Sequence, residues 1–254
     1  AKLLTAPKAV ILNGESTSLQ VMEDVNYTDI DNIEKTSPIE FFQKNLSPIR
    51  QSLLNGQSPT ECNDCHLMEQ HNKISGRQRQ LLKVGVLENH FEKSLASSPL
   101  KNDFDYSWQH QGATTRTISD WQIDLGNYCN GACIYCAPEH SSKLAAEFKH
   151  LGLIEQVPPN SWCDDPELLD KFIQDLVTSG DAKYLHLLGG ETLITPGFKT
   201  MLSALVKHKQ SHQITVGFTT NLNCWNQPVI DLLKQFQHVN LGMSIETLTK
   251  VNDY

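Results

Sequence analysis

A regular alternation of strand-like and helix-like segments after residue 118 is the feature that most constrains how this chain folds. Short apolar runs lie at 121–125, 183–188, 213–219 and 239–245. Helix-like segments lie at 141–150, 166–179, 197–208 and 227–236. Strands that are separated by helices predict a parallel sheet, because the chain must cross back before each new strand. Residues 118–254 are therefore expected to form an α/β core whose strands all end at one edge.

Three cysteines follow the first predicted strand. The sequence C-N-G-A-C-I-Y-C places Cys129, Cys133 and Cys136 at a C-x3-C-x2-C spacing. Three thiolates on one short loop can bind three irons of a cubic iron–sulfur cluster and leave the fourth iron without a protein ligand. An open metal position distinguishes a catalytic metal site from a closed structural one. The spacing alone also fits a zinc site.

A second motif follows the second predicted strand. The run Y-L-H-L-L-G-G-E places Gly189, Gly190 and Glu191 directly after an apolar segment. Paired glycines at the end of a buried strand allow the backbone to approach a ligand closely. A plain strand-to-helix turn with a solvated Glu191 is the alternative interpretation of the same residues.

Together the two motifs resemble those of the radical S-adenosylmethionine (SAM) enzymes. In that family the open iron of a [4Fe–4S] cluster binds SAM, and the reduced cluster cleaves SAM to a 5′-deoxyadenosyl radical. The resemblance implies that the three cysteines bind the cluster and that the G-G-E segment binds the SAM amino group. Thr192 follows Glu191 at a position where the family often has proline.

The resemblance assigns further cofactor contacts to Tyr135, Asn221, Ser244 and Glu246. An aromatic residue at the position of Tyr135 packs on the SAM adenine in the family, whereas a core-filling tyrosine is the alternative. Asn221 follows the third predicted strand and is assigned to SAM or to the substrate. Ser244 and Glu246 follow the fourth strand, where their oxygens suit the ribose hydroxyls, although polar residues are common at strand ends.

The fold that the resemblance implies is a partial (β/α)6 barrel with its chemistry at the carboxyl ends of the strands. Only about four strands fit between residues 118 and 254, so the barrel is expected to be truncated and the chain to have little turnover. A small α+β region over residues 1–92, with a hairpin around Asn13 and Gly14, is expected to precede it. Residues 93–117 are rich in Ser, Asn, Asp and Gln and predict a linker with little regular structure.

A second cysteine pair lies in the N-terminal region. Cys62 and Cys65 form a C-x2-C that is followed by Glu69 and by an S-x-R sequence at Ser75 and Arg77. A bare C-x2-C fits half of a zinc ribbon or a redox pair. The wider pattern resembles twitch-domain radical SAM proteins of phage and environmental genomes, in which a small N-terminal unit holds an auxiliary iron–sulfur cluster near the substrate.

The auxiliary cluster needs more ligands than this segment supplies. A closed cluster takes about four ligands, and only Cys62 and Cys65 are local. Cys163 and Cys224 are candidates for the others, although each is better interpreted as an ordinary partly buried cysteine. Arg77 and Arg79 are expected to lie on a solvated helix face, and contact with an anionic substrate or cofactor is the alternative.

Composition excludes several function classes. The 254 residues carry a net charge of −8, which argues against a broad nucleic-acid-binding face. No apolar run approaches the roughly 20 residues of a membrane span. Seven cysteines clustered by motif predict reduced, metal-binding thiols in the cytoplasm rather than a disulfide framework.

The favoured function is therefore a radical SAM enzyme that abstracts hydrogen from an unidentified substrate, either a small molecule or a peptide. The resemblance also implies an electron donor such as flavodoxin or ferredoxin. The alternative is a non-catalytic zinc- or iron–sulfur-binding interaction protein on an α/β scaffold.

Overall fold

The computed structural model describes residues 10–11, 20–21, 36–83, 85–86 and 91–245. The chain forms two compact units. One comprises Ala1–Pro38 with Ile118–Tyr254, and the other comprises Ile39–Thr117. No described helix is both long enough and apolar enough to cross a membrane. A short antiparallel pair, β1 (Val10–Ile11) with β2 (Gln20–Val21), fits the predicted hairpin, whose turn lies outside the described residues.

Helices and turns make up the described part of the unit Ile39–Thr117. The helices between residues 38 and 109 are α1 (Pro38–Glu40), α2 (Ser47–Leu54), α3 (Asn63–Gln70), α4 (Gly76–Lys83), α5 (Phe91–Ala96) and α6 (Lys101–Gln109). A π-helical turn at Phe41–Asn45 follows α1.

The expectation of little regular structure over residues 93–117 is wrong for α5 and α6. In α6, Phe104 and Trp108 lie one turn apart and their rings stack with centroids 6.1 Å apart. Aromatic pairs at this spacing stabilise a helix. The many polar residues of the segment obscured this pairing in the sequence. The domain boundaries predicted at residues 92 and 117 stay a prediction.

Four parallel strands form the sheet of the other unit. They are β3 (Asp120–Asp124), β4 (Tyr184–Leu188), β5 (Thr215–Thr220) and β6 (His238–Met243). Their spatial order follows their order in the sequence, and each neighbouring pair is parallel. The intervening helices are α7 (Ser142–His150), α8 (Pro166–Ser179), α9 (Pro196–Lys207) and α10 (Gln227–Leu233). The predicted parallel α/β core is therefore confirmed.

Local signals explain where the helices begin and end. Asp165 caps α8 by accepting from the backbone N–H groups of Glu167 and Leu168, and Pro166 occupies the first turn. Gly180 ends the same helix in the left-handed conformation, with φ of 65°. The helix therefore begins and ends at its own sequence signals.

The two faces of the sheet differ in character. Leu187 and Phe218 are register partners on neighbouring strands, and both are buried. The Phe218 ring lies 5.2 Å from that of Phe198 in α9, so this face holds the core. Alternate residues point to the other face, where His186 is the register partner of Gln122. The helix-covered face is thus apolar, and the opposite face carries polar side chains.

Candidate functional site

Two loops meet where β3 and β4 end. We call residues 125–137 the cysteine loop and residues 189–191 the glycine loop. The backbone N–H of Gly190 donates to the Gly126 carbonyl at 2.9 Å, and that of Glu191 donates to the Tyr128 carbonyl at 2.6 Å. The glycine loop therefore extends the pairing of the strands and holds the start of the cysteine loop.

The glycine loop has no room for side chains at its two glycines. Gly189 has φ of 148°, in the region that favours glycine, and a Cβ there would lie 2.9 Å from the Gly126 carbonyl oxygen. A Cβ on Gly190 would lie 2.6 Å from the Tyr128 carbonyl oxygen and 2.8 Å from Cys129 Cβ. The close backbone approach predicted from the paired glycines is made to the cysteine loop itself.

Glu191 connects the glycine loop to the end of β5. Its side chain is only 1% exposed. One carboxylate oxygen accepts from the Leu193 N–H at 3.1 Å and the other from the Asn221 N–H at 2.7 Å. The alternative of a solvated glutamate in a plain turn is therefore wrong. The contact of Glu191 with Asn221 could not be predicted from the sequence, because it depends on where β5 lies.

Asn221 connects β5 to the cysteine loop in turn. Its side-chain Nδ2 donates to Asn130 Oδ1 at 2.8 Å. The backbone N–H of Ser244, at the end of β6, donates to the Thr220 carbonyl at 2.9 Å. The structure thus brings the ends of all four strands to one edge, as parallel pairing requires.

The thiols of Cys129 and Cys133 both lie close to Gly131. A Cβ on Gly131 would lie 3.4 Å from Cys133 Sγ and 3.7 Å from both Cys129 Sγ and Asn221 Nδ2, which are ordinary contact distances. The backbone N–H of Gly131 donates to Cys129 Sγ at 3.3 Å. Cys133 is exposed, whereas Cys129 and Cys136 are partly buried. Two of the three sulfurs therefore lie beside the same glycine, together with the side-chain amide of Asn221.

The pKa of the Cys136 thiol lies above its usual range. Burial is the main cause, and the negative charges of Cys129 and Cys133 act in the same direction. Cys129 and Cys133 thus lie close enough to Cys136 to oppose its ionisation. Binding of a metal displaces the protons of the thiols, and the positive charge of the metal offsets the repulsion.

Two serines at the start of α7 also hold the cysteine loop. Ser141 caps α7 by accepting from the Leu144 N–H, and its hydroxyl donates to the Gly131 carbonyl at 2.6 Å. Ser142 Oγ accepts from the Cys129 N–H at 3.1 Å. In the sequence, the pair of serines after Cys136 was the signal from which these contacts could have been predicted.

A segment before α8 braces the other side of the cysteine loop. Trp162 Nε1 donates to the Asp124 carbonyl at 2.7 Å, and the Ser161 hydroxyl donates to the Leu125 carbonyl. The Tyr128 hydroxyl donates to Asp164 Oδ2 at 2.9 Å, which raises the pKa of Tyr128. These bonds fix the chain where β3 passes into the loop.

Asn127 is a buried polar residue that the sequence did not single out. It is 2% exposed, and neither atom of its side-chain amide has a hydrogen-bond partner among the described residues. Its backbone is held by the Asn160 carbonyl and the Ser142 N–H, each at 2.7 Å. In the sequence, Asn127 stands two residues before Cys129 and looks like an ordinary loop residue. Only the packing in the structure shows that it is buried.

The remaining predicted cofactor contacts have different outcomes. Tyr135 is 91% exposed, so the alternative of a core-filling tyrosine is wrong. Ser244 is exposed at the strand edge. Glu246 lies outside the described residues. Contact of these side chains with SAM stays a prediction.

Cys62 and Cys65 lie where a 3-10 turn (Thr60–Cys62) passes into α3. Burial and the charge of Cys65 raise the pKa of the Cys62 thiol, while the charge of Arg77 opposes this shift. Arg77 donates to the carboxylate of Glu69, and so does the hydroxyl of the buried Ser75. The S-x-R sequence therefore joins α4 to α3 within this unit.

Cys163 and Cys224 have surroundings of their own. Burial raises the pKa of the Cys163 thiol to about 12, and a Cβ on Gly197 would lie 2.5 Å from Cys163 Cβ. Cys224 lines an apolar cavity of about 570 Å³ between α10 and the helix-covered face of β5 and β6. That cavity is not lined by the three cysteines of the loop.

The residues of the cysteine loop fit a metal–sulfur cluster by their chemistry. Burial and the charges of the other two thiols raise the pKa of the Cys136 thiol, two of the sulfurs lie beside Gly131, and the backbone N–H of Gly131 already donates to one of them. Among the described residues, no group of three Cys, His, Asp or Glu side chains is arranged to hold a single metal ion. A cube differs from a single ion because it distributes its ligands over separate irons.

Comparison with known proteins identifies the family. The model of the radical SAM superfamily matches residues 123–253, just over half of the chain. No curated protein and no solved structure matches the chain. Members of this superfamily typically use a [4Fe–4S] cluster and SAM, and the four-stranded parallel sheet fits a partial barrel of that family. The chain therefore belongs to the radical SAM superfamily and is an enzyme.

Proposed function

We propose that this enzyme cleaves SAM reductively and uses the resulting radical to abstract hydrogen from a substrate. The observation that carries the proposal is that three ligand-type thiols lie on a loop fixed to the ends of neighbouring parallel strands. A [4Fe–4S] cluster held by those thiols would supply the one electron for reductive cleavage of the SAM C5′–S bond, which gives methionine and a 5′-deoxyadenosyl radical. That radical takes a hydrogen atom from a substrate C–H bond and becomes 5′-deoxyadenosine.

Cys129, Cys133 and Cys136 are the proposed ligands of the cluster. Their thiols must be deprotonated to bind iron. Burial and the charges of Cys129 and Cys133 raise the pKa of Cys136. The effect of the charges supports the proposal, because it indicates that both thiols lie near Cys136. The hydrogen bonds of Ser141 and Ser142 keep the loop in position while the ligands are loaded.

Gly189, Gly190, Glu191 and Asn221 are proposed to bind SAM beside the cluster, with Tyr135 near the adenine and Ser244 and Glu246 near the ribose. The carboxylate of Glu191 already accepts two backbone N–H groups. A carboxylate has about four lone-pair sites, so two remain to accept from the SAM amino group. The side chain of Glu191 thus has a double role, in the loop and toward SAM.

The remaining parts of the proposal concern partners and the second cysteine pair. The electron comes from a donor such as flavodoxin or ferredoxin, in the cytoplasm, and the substrate is a small molecule or a peptide. Cys62 and Cys65 are proposed as two ligands of an auxiliary cluster, as in the twitch-domain proteins of phage and environmental genomes that the segment resembles. Their neighbouring thiols support this.

The test is anaerobic reconstitution with iron and sulfide, followed by dithionite and SAM. We expect brown protein with broad visible absorption, and 5′-deoxyadenosine and methionine by mass spectrometry in equal but small amounts, because the chain is expected to have little turnover. Cys133→Ala should abolish both products, whereas Cys224→Ser, a matched change outside the loop, should retain them. Colourless protein that contains zinc and forms no 5′-deoxyadenosine would overturn the proposal.

A further inference from the structure

Asn127 is left out of the hydrogen bonds that hold the cysteine loop. Its side chain is 2% exposed, and both Nδ2 and Oδ1 lack a partner within the described part of the chain. Buried amides are almost always hydrogen-bonded, because removing their donors and acceptors from water without replacement is unfavourable. An unpaired amide at this depth points to a partner that the polypeptide does not supply.

The backbone of Asn127 lies beside the first ligand cysteine and the glycine loop. Its N–H donates to the Asn160 carbonyl, and its carbonyl accepts from the Ser142 N–H, both at 2.7 Å. A Cβ on Gly190 would lie 2.8 Å from both the Asn127 carbonyl oxygen and Cys129 Cβ. Asn127, the first ligand cysteine and the glycine loop therefore meet at one point.

The chemistry of the site favours sulfur as the missing partner. Cys129 Sγ already accepts from the backbone N–H of Gly131 at 3.3 Å. Cluster sulfurs are acceptors, and hydrogen bonds to them help to set the reduction potential. The reduced cluster carries one more negative charge, so a donor stabilises it more than the oxidised form.

We infer that the Asn127 side-chain N–H donates to a sulfur atom of the cluster held by the cysteine loop, and thereby raises the cluster's reduction potential. Asn127 is a positioning and tuning residue, and not a ligand. This inference rests on the proposed function, because it requires the cluster. Its redox measurement therefore requires wild-type protein that has assembled the cluster, and failure of wild type to assemble it would count against the proposed function, whereas the melting temperature of cluster-free protein tests the inference separately.

The first measurement uses cluster-free protein. Asn127→Leu removes the amide at similar size, and we expect a melting temperature equal to or above that of wild type, because no hydrogen bond is lost. Asn226→Leu is the matched control. Asn226 accepts from the Val229 N–H and donates to the Leu193 carbonyl, so its replacement should lower the melting temperature.

The second measurement is a redox titration of cluster-loaded protein without SAM, followed by electron paramagnetic resonance. Asn127→Leu should shift the potential to a more negative value, and Asn226→Leu should leave it unchanged. Asn127→Ala, which avoids any overpacking, should shift the potential in the same direction. If the leucine variant does not fold, the potential of the alanine variant tests the inference.

Three results would overturn the inference. A melting temperature of cluster-free Asn127→Leu that falls as far as that of Asn226→Leu would show that the amide has a partner in the protein or in a buried water. An unchanged potential in both Asn127 variants would exclude a bond to sulfur. A change that appears only when SAM is present would assign the amide to SAM instead.

Discussion

The cysteine loop and the C-x2-C segment carry the same kind of ligand in different settings. The cysteine loop is held by contacts between residues far apart in sequence, such as the bond of Asn221 to Asn130 across 91 positions. The C-x2-C segment is held by short-range contacts, such as the bond of Arg77 to Glu69 across eight positions. The first site therefore depends on the whole sheet, whereas the second depends on two adjacent helices.

This difference teaches where rigidity comes from. A loop fixed by several strand ends cannot move unless the sheet opens, so its ligands are preorganised. A segment fixed by one helix pair can open locally at a smaller free-energy cost. We therefore expect cluster binding at the cysteine loop to be lost together with global stability, and binding at the C-x2-C segment to vary independently of it.

The largest expected effect separates the two sites by their iron. Replacing Cys129, Cys133 and Cys136 together with alanine should remove all the iron of the first site, because no ligand is left. Replacing Cys62 and Cys65 should remove only iron held in addition. Iron and sulfide per chain after anaerobic reconstitution measure both. If the triple variant kept the wild-type stoichiometry, the ligand assignment would be wrong.

Two glycine-to-alanine substitutions, one in each region, test this comparison. Gly190→Ala must displace backbone atoms that lie 2.6 and 2.8 Å from the new Cβ, and should lower the free energy of unfolding by about 3 kcal/mol, the upper end for overpacking. Gly76→Ala, beside the C-x2-C segment, meets nothing within 4 Å and should be neutral or slightly stabilising. Urea unfolding measures both. Equal losses would contradict the close packing at Gly190.

Glu191→Gln tests the connection between the glycine loop and β5. The amide nitrogen of glutamine cannot accept from one of the two N–H groups that Glu191 binds. The unsatisfied donor should lower the free energy of unfolding by about 1–2 kcal/mol. Calorimetric titration should also show weaker SAM binding to cluster-loaded protein. Unchanged stability would show that these N–H groups find other acceptors.

The smallest effect concerns Glu69 and its dependence on pH. The hydrogen bond from Arg77, and then that from Ser75, lower the pKa of Glu69 below its usual 4.5. A lowered pKa in the folded state contributes stability that is present above pH 4.5 and is lost as the pH falls through the folded value. Glu69→Gln should therefore increase hydrogen exchange in α3 and α4 slightly at pH 7, and the difference should disappear in acid.

Its control is Glu40→Gln, which removes an exposed ion pair with Lys44. Exposed pairs contribute little, so the exchange of α3 and α4 should not change. A Glu69 effect that persisted once the Glu69 carboxylate is protonated in acid would show that the side chain acts through packing rather than through its charge.

The sheet was predictable because its signal is local. Each strand is an apolar run, and each helix shows its own period and caps, as Asp165 and Gly180 do for α8. The helix α6 escaped prediction because its apolar contribution rests on a few aromatic residues, such as Phe104 and Trp108, within a polar segment.

The site was predictable only in part. Spacing indicated the cysteines and the glycine pair, since those residue types carry the chemistry themselves. The burial of Asn127 and the contact of Glu191 with Asn221 depend on which strand end lies beside which. That information arises when the sheet assembles, and no pattern along the chain contains it.

The strand order has a consequence for how the protein is made. Since β4, β5 and β6 each pair with the strand that precedes them in the chain, the four-stranded sheet can grow as the chain leaves the ribosome, beginning from β3. The three thiols emerge before the glycine loop, and Asn221 follows Cys136 by 85 residues. At common synthesis rates that interval lasts roughly 4 to 17 s. For those seconds the bare thiols face the cell without the contacts that later fix them, so we expect cluster delivery to follow translation of β5.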